Sequence, residues 1–341
     1  MTESQTRRFS EIPAESRWAG YVLVGFILFV VWDQWYWWAN REDYSFGFLV
    51  PVFVGYVLFE RWPVIYGFLV NGEWKGKSAV LEEDRASKVA RGMAGFVFGS
   101  AYVLGLLVFG FGALLRATQG VQTPASASLA WGLAWVILAT VFFFSGETAS
   151  GQKTRLGARL QFTAFFLFPA FIWMISAPLL SFLERGLSLF LLDKVTAVVF
   201  FVFDLLGVPI QKEGNVLLLG FLDNGLRNEV MVEDACSGIR SLMACLFAGS
   251  FLGAVFMEPF WKKVLLVGLA MLFAFFTNIL RSLFLTAYAY SYGADAIAGA
   301  VHDITGYAVL GLTCIGLIAL LPLINFQYSF DEAEPEEPSP A

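Results

Sequence analysis

The sequence predicts an all-α polytopic membrane protein: about eight transmembrane helices, one further interfacial or re-entrant helix, and a small extracytoplasmic β-like insert. Three observations lead there. Hydrophobic residues make up 58% of the 341-residue chain and charged residues only 15%, where soluble domains carry about a quarter charged. Apolar runs long enough for a bilayer core, about 20 residues, recur along the chain. Between residues 208 and 232 the pattern changes to short β-like pieces broken by turn residues. Exposed strands have no place in lipid, so that stretch belongs in water or against protein.

Taken in order, residues 1–17 carry Arg7, Arg8 and Arg17 and form a cytoplasmic N-terminal segment. The first span, 18–38, is too long for a signal peptide and lacks a small-residue cleavage site; Trp32, Trp35, Tyr36, Trp37 and Trp38 form an interfacial aromatic belt at its far end. The second span, 44–61, is short enough that Glu60 and Arg61 snorkel to the interface. Residues 71–88, with Lys75, Lys77, Glu82, Glu83, Asp84 and Arg85, read as a solvated loop. The third and fourth spans, 92–115 and 126–145, flank a connection whose single charge is Arg116. Lys153, Arg155 and Arg159 precede a fifth span, 160–180, interrupted by Pro169 and Pro178.

Lys and Arg concentrate in the N-terminus, in 61–91 and in 146–159, which the positive-inside rule places in the cytoplasm, so the fifth span exits outward. The sixth span, 236–256, is followed by Lys262 and Lys263 and therefore starts outside. Parity then decides segment 181–207, which is apolar but holds Glu184, Arg185, Asp193, Lys194 and Asp204. It cannot cross once, and is expected to be the interfacial or re-entrant helix. The β-like pieces Val216-Leu217-Leu218-Leu219 and Glu229-Val230-Met231-Val232 alternate with turn signals at Glu213-Gly214 and Asp223-Asn224-Gly225. A seventh span, 264–290, is longer than a bilayer needs, and an eighth covers 304–323. Residues 326–341 read as a disordered acidic Pro/Glu tail, and no internal repeat is visible.

Composition also excludes classes of function. No basic cluster marks a nucleic-acid partner, and the net charge of −6 owes part of its size to the acidic tail. Cys236, Cys245 and Cys314 lack CxxC spacing and His302 is the single histidine. Neither a disulfide framework nor a zinc or His-rich metal centre is indicated, and no metal or organic cofactor is implied.

The candidate chemistry starts at Glu233-Asp234-Ala235-Cys236-Ser237-Gly238-Ile239-Arg240-Ser241-Leu242, where the polar region gives way to a long apolar helix. Asp234 or Ser237 can cap that helix. A cysteine in its first turn meets unpaired backbone N–H groups and the positive end of the macrodipole, which favour thiolate. Arg240, at i+4 from Cys236, adds a cation on the same face. By the topology, Cys236 opens the sixth span and His302 precedes the eighth, both at the outer face. Arg281 lies about 25 Å along the seventh span, in a core about 30 Å thick. It follows Asn278 at i+3 on an otherwise apolar helix, and an intramembrane arginine normally faces a polar cavity or pathway. Thiol, imidazole and guanidinium at one depth are the inventory of nucleophilic acyl transfer: Cys236 attacks, His302 moves protons, Arg281 stabilises the oxyanion. Cys245 and Cys314 read as packing residues, and Asp303 diverges from His302 on the helix.

These residues resemble the exosortase and archaeosortase family of membrane transpeptidases. The match rests on the stretch 233–242, on Asn278-Ile279-Leu280-Arg281, on Val301-His302-Asp303 followed by Gly306, and on Asp43-Tyr44-Ser45-Phe46-Gly47-Phe48-Leu49-Val50-Pro51 at the second span. It covers roughly residues 20–325. Family members often have histidine where Phe46 stands, which leaves His302 as the sole candidate base. The resemblance implies an exosortase-like transmembrane domain over 18–325, with its catalytic half at about 160–325. It implies a sortase-like reaction in the cytoplasmic (inner) membrane, with the active site facing the extracytoplasmic side. An exported protein bearing a C-terminal sorting signal (often Pro-Glu-Pro), a membrane helix and a basic tail is cleaved at the signal, and the acyl-enzyme passes to a surface acceptor. Cys236, Arg281 and His302 are the expected catalytic residues, with Arg240 and Asn278 as substrate-binding candidates. The rival expectation is a transporter of an anionic surface glycan or lipid held by Arg281 and Arg240; a structural membrane subunit is a third.

Overall fold

Apolar runs without a water partner for their backbone must close their hydrogen bonds internally, and helix is the way a single segment does so. In the computed structural model, which describes residues 9–80, 88–221, 227–231 and 239–325, ten α-helices appear among the described residues. They are α1 (Ala14–Asn40), α2 (Val50–Tyr66), α3 (Lys88–Gln119), α4 (Thr123–Phe144), α5 (Leu156–Ala164), α6 (Leu167–Ser176), α7 (Ser181–Leu205), α8 (Ile239–Phe256), α9 (Phe260–Tyr292) and α10 (Ala300–Asn325). Two small antiparallel sheets accompany them: β1 (Glu73–Trp74) with β2 (Lys77–Ser78), and β3 (Gln211–Glu213), β4 (Val216–Phe221) and β5 (Arg227–Met231) in that order. The protein is an all-α polytopic membrane protein, with nine segments among the described residues long and apolar enough to cross a bilayer. The second extends beyond the expected 44–61, running from Glu42 to Asn71 through a 3₁₀ start and a π turn.

The ninth segment is α7, the stretch expected not to cross. Its length and composition qualify it for a span, but contacts at its ends hold it to one face. At its start Glu184 pairs with Arg41, the residue after α1, and Ser181 Oγ lies 3.5 Å from Thr123 Oγ1 at the start of α4. Beyond its end the β3–β4–β5 sheet packs on the far end of α9: Asn228 donates to the Ala289 carbonyl across 3.0 Å and accepts from the Ala294 amide. The opposite face is marked by the β1–β2 hairpin. Its Lys75 pairs with Glu258 between α8 and α9, while Val80 bridges to Thr154 and Glu147 to Lys153 in the connection after α4. The hairpin turns through Lys75 at φ 48 and Gly76 at φ 77, the left-handed pair that a two-residue turn requires.

At the centre, α4 buries Ala125, Leu129, Ala130, Leu133 and Ala134 completely. It approaches α3 through glycine: a Cβ on Gly132 would meet the Phe109 amide nitrogen at 2.6 Å, so only glycine admits this backbone contact. The main core joins α4 to α1, α6, α8 and α9 through Val30, Trp173, Ile172, Met243 and Ala270. A second core joins α7 and the three-stranded sheet to the far half of α9, with Val195, Val199, Leu217, Val230 and Ile279 buried together.

Arg61 corrects the snorkelling expectation. It is 8% exposed. The fifth segment breaks between α5 and α6 because Pro169, in the first turn of α6, has no N–H to return to the Phe165 carbonyl. Arg61 supplies the donor instead. Its Nη1 bonds Phe165 O, its Nη2 bonds Ala254 O in the last turn of α8 across 2.9 Å, and its guanidinium lies 4.2 Å from the centroid of the Phe165 ring. Glu60 is exposed.

Candidate active site

Arg281 and His302 meet. Arg281 stands on α9 and His302 in the first turn of α10, and the two helices run antiparallel, with Thr277 Oγ1 and Thr313 Oγ1 3.2 Å apart further along. Arg281 Nη2 lies 2.8 Å from His302 Nε2 and donates to the His302 carbonyl oxygen across 3.2 Å. Gly306, one turn beyond His302, leaves room for this arrangement, since a Cβ there would sit 3.6 Å from Arg281 Nη2. Asn278, three residues before Arg281, is buried on the adjoining face of α9, and Ser282 is buried beside it.

The start of α8 reaches the same level. Gly249 approaches Val267 and Ala270, and Gly253 approaches Lys263; continuing that antiparallel register sets Ile239, the first described residue of α8, about level with Asn278. Residues 232–238, and with them Cys236, Asp234, Ser237 and Gly238, lie outside the described residues. So do Asp223-Asn224-Gly225, Arg7, Arg8, the charged run Glu82 to Arg85 and the tail 326–341.

Arg240 is held elsewhere than on the Arg281–His302 pair. Its guanidinium pairs with Glu42, and its Nε lies 3.6 Å from Asp43 Oδ1. Asp43 also lies 3.5 Å from Arg41, which in turn pairs with Glu184 at the start of α7. Burial disfavours the charge on Arg41, but the hydrogen bond and attraction of Glu184, then of Asp43, outweigh it and hold the guanidinium above its ordinary value. Arg281, Asp303, Arg240 and Glu42 all stand within electrostatic reach of the His302 ring. An acid–base network thus ties the α1–α2 corner to the starts of α7 and α8 beside the Arg281–His302 pair. Sequence reading missed the acids in this network; the signal was the Glu42-Asp43 pair at the head of the Asp43 to Pro51 motif.

Of the two other cysteines, Cys245 is buried in the core between α8 and its neighbours, as its packing assignment requires. Cys314 is exposed on α10 and contributes no buried packing. Asp303 is exposed, and the imidazole of its neighbour His302 bonds Arg281 instead.

Comparison with known families resolves what kind of protein carries this arrangement. The family model for transmembrane exosortases matches residues 37–319, most of the chain and every element of the site. The chain belongs to the transmembrane exosortase family. No curated protein and no solved structure matches it. The matched region of this exosortase begins within α1, takes in the Glu42–Asp43 corner, and ends in α10 after His302.

Proposed function

We propose that this exosortase is a cysteine transpeptidase or protease of the cytoplasmic membrane that cleaves the C-terminal sorting signal of exported proteins and transfers them to a surface acceptor. The observation that carries the reading is the 2.8 Å contact between Arg281 and His302 at the level where α8 begins. Cys236 precedes Ile239 by three residues, so chain length alone keeps it within about 10 Å of that helix start. In the reaction, His302 Nε2 takes the Cys236 thiol proton, the thiolate attacks the scissile carbonyl carbon, and the carbonyl oxygen becomes an oxyanion stabilised by Arg281. His302 protonates the leaving amine as the C–N bond breaks, giving a thioester. An acceptor amine or hydroxyl, or water, then attacks the thioester, losing its proton to His302, which passes it to the departing Cys236 thiolate.

The contact itself constrains that cycle. A guanidinium has donors only, so with Arg281 donating, His302 Nε2 is the acceptor and the ring is neutral with its proton on Nδ1. Substrate gives Arg281 a better acceptor, the developing oxyanion, and frees Nε2 for proton transfer. Asn278 adds a buried amide on the same helix for holding the peptide.

The test is mass spectrometry of a co-expressed protein ending in Pro-Glu-Pro, an apolar helix and a basic tail. A defined new C-terminus that vanishes in Cys236→Ser establishes the class, because a transporter tolerates that exchange. Processing that continues in Cys236→Ser overturns it. Sidedness follows from an impermeant maleimide in intact cells: a single cysteine at Gly214 should label and one at Lys77 should not, and the reverse pattern moves the site to the cytoplasm.

A further inference from the structure

We propose that the corner where α8 turns into α9 binds the phosphate of an anionic phospholipid, with Lys263 and Lys75 as its cations and the first turns of α9 as the seat of its acyl chains. The corner lies on the face marked by the β1–β2 hairpin. From Lys263 to Arg281 is 18 residues of α9, or about 27 Å, so this site is separate from the Arg281–His302 pair and independent of the acyl-transfer reading.

One carboxylate serves three cations here. Within electrostatic reach of Glu258 stand Lys75, Lys263 and Arg61, and within reach of Lys263 stand Arg61, Glu258 and Lys75. Lys75 already bonds the Glu258 carboxylate, and that hydrogen bond holds the carboxyl below its ordinary value, so Glu258 is ionised at neutral pH. Arg61 donates to the Phe165 and Ala254 carbonyls, which satisfy its donors without cancelling its charge. Lys263 is half-buried against α8, its Cα 3.5 Å from where a Cβ on Gly253 would stand, and among the described residues it has neither a hydrogen bond nor an ion pair. Three cations less one carboxylate leave two positive charges, which attract an anion. α9 also begins here without a side-chain cap, and its first-turn amides and positive dipole end favour the same charge.

The surroundings suit a lipid better than a free anion. Phe260, Lys263 and Val264 stand at i, i+3 and i+4, so they share one surface of α9. Phe260 and Val264 are exposed there, and one turn further Gly268 has nothing within 4 Å of a built Cβ. Trp261 beside them is exposed as well, and tryptophan marks headgroup depth. A free phosphate would use the cations alone. A phospholipid uses the whole surface: its phosphate meets Lys263, and its chains run along Phe260, Val264 and the open space at Gly268. Basic pockets between membrane helices take anionic headgroups in this way.

The test places the full-length chain in phosphatidylcholine nanodiscs holding a small fraction of phosphatidylglycerol with a diazirine in its acyl chain, and maps the photo-adducts by peptide mass spectrometry. The same diazirine on phosphatidylcholine is the comparison. Phosphatidylglycerol adducts are expected on residues 260–268 at about five times the phosphatidylcholine yield or more, and Lys263→Gln should lower them about fivefold, the effect of one cation near the surface. Glu258→Gln should raise them by a similar factor, because it removes the competing carboxylate. Its pair with Lys75 is exposed, so the melting temperature should stay where it is. A Lys75–Glu258–Lys263 cluster that only held the fold together would lose adducts in both variants. Lys153→Gln, on the same face but outside the corner, should change nothing. Equal yields for the two lipids, or a loss in Lys153→Gln as large as in Lys263→Gln, would overturn the site. So would displacement of the adducts by inorganic phosphate, which would make the ligand a free anion. Adducts that appear only once Asp331, Glu332, Glu334, Glu336 and Glu337 are replaced by their amides would assign the corner to the acidic tail instead.

Discussion

Arg281 donates from Nη2 to both the imidazole and the carbonyl oxygen of His302, at 2.8 and 3.2 Å, so one guanidinium nitrogen spans side chain and backbone of the same residue. The pair fixes where α10 begins relative to α9. In the proposed reaction it also holds the imidazole ready, since a better acceptor for the arginine would free Nε2. Twenty-one residues separate the two in sequence, and what brings them together is the antiparallel turn through residues 293–299.

The space beside Gly306 gives the first prediction. A Cβ there would sit at ordinary contact distance from the guanidinium, so Gly306→Ala should keep near-normal turnover. Gly306→Leu must push Arg281 off His302, and a displacement of about 1 Å in a positioned catalytic group can cost about 100-fold. Single-turnover cleavage of a purified substrate by the two variants is the check, and equal rates would show that the arginine is not held by this contact.

Arg240 leads to a different expectation. It and Glu42 are 60% and 79% exposed, and exposed ion pairs contribute about 0–1 kcal/mol, so Arg240→Gln should scarcely move the unfolding midpoint. Its ion pairs beside the site are another matter. If Arg240 works through Asp43, then Arg240→Gln and Asp43→Asn should lower kcat/KM by similar factors, about three- to tenfold, and the double variant by no more than either. Multiplying losses would show the two residues acting independently.

Arg61 is the stability counterpart, far from the site on the other face. Arg61→Met strips donors from the Phe165 and Ala254 carbonyls, and a buried acceptor left alone costs about 1–3 kcal/mol. The unfolding midpoint in detergent should therefore fall by about 5–10 °C, while the activity of the folded fraction persists. Arg61→Lys, whose ammonium lacks the planar fork, should recover part of the loss. An unchanged midpoint for Arg61→Met would mean that water satisfies both carbonyls.

Much of this was legible in the chain because lipid leaves few choices. Apolar runs gave the helices, and counting Lys75, Lys153 and Lys262 by side gave a parity that the α7 end contacts respect. Arg281 and His302 could be paired on depth alone. Long-range partners could not. Arg240 and Glu42 are 198 residues apart, and Arg61 and Ala254 are 193 apart. A charge near the end of an apolar run reads as snorkelling unless one already knows that a proline elsewhere has vacated a carbonyl beside it. The β-like pieces were visible from alternation and turns, but their docking on Ala289 depends on α9 outrunning α8, which no local pattern records.

The proposed acyl transfer makes the last prediction, because its three residues should fail in different ways. Cys236→Ala removes the atom that forms the thioester, so cleavage should disappear at every pH. Arg281→Lys keeps a positive charge and loses the fork; removing one oxyanion donor costs about 100–1,000-fold, and substrate should still bind, so the loss falls on kcat rather than KM. His302→Gln removes proton transfer in both directions. Raising pH toward the ordinary cysteine value of about 8.5 restores thiolate without help, so attack recovers while protonation of the leaving amine stays impaired. The variant should regain part of its lost rate between about pH 7 and 9, as the thiolate fraction rises, and plateau below wild type. Single-turnover cleavage across pH, in nanodiscs, measures all three. Normal turnover by Cys236→Ala would overturn the mechanism, whereas a flat pH profile for His302→Gln would remove His302 as the base and leave the nucleophile in place.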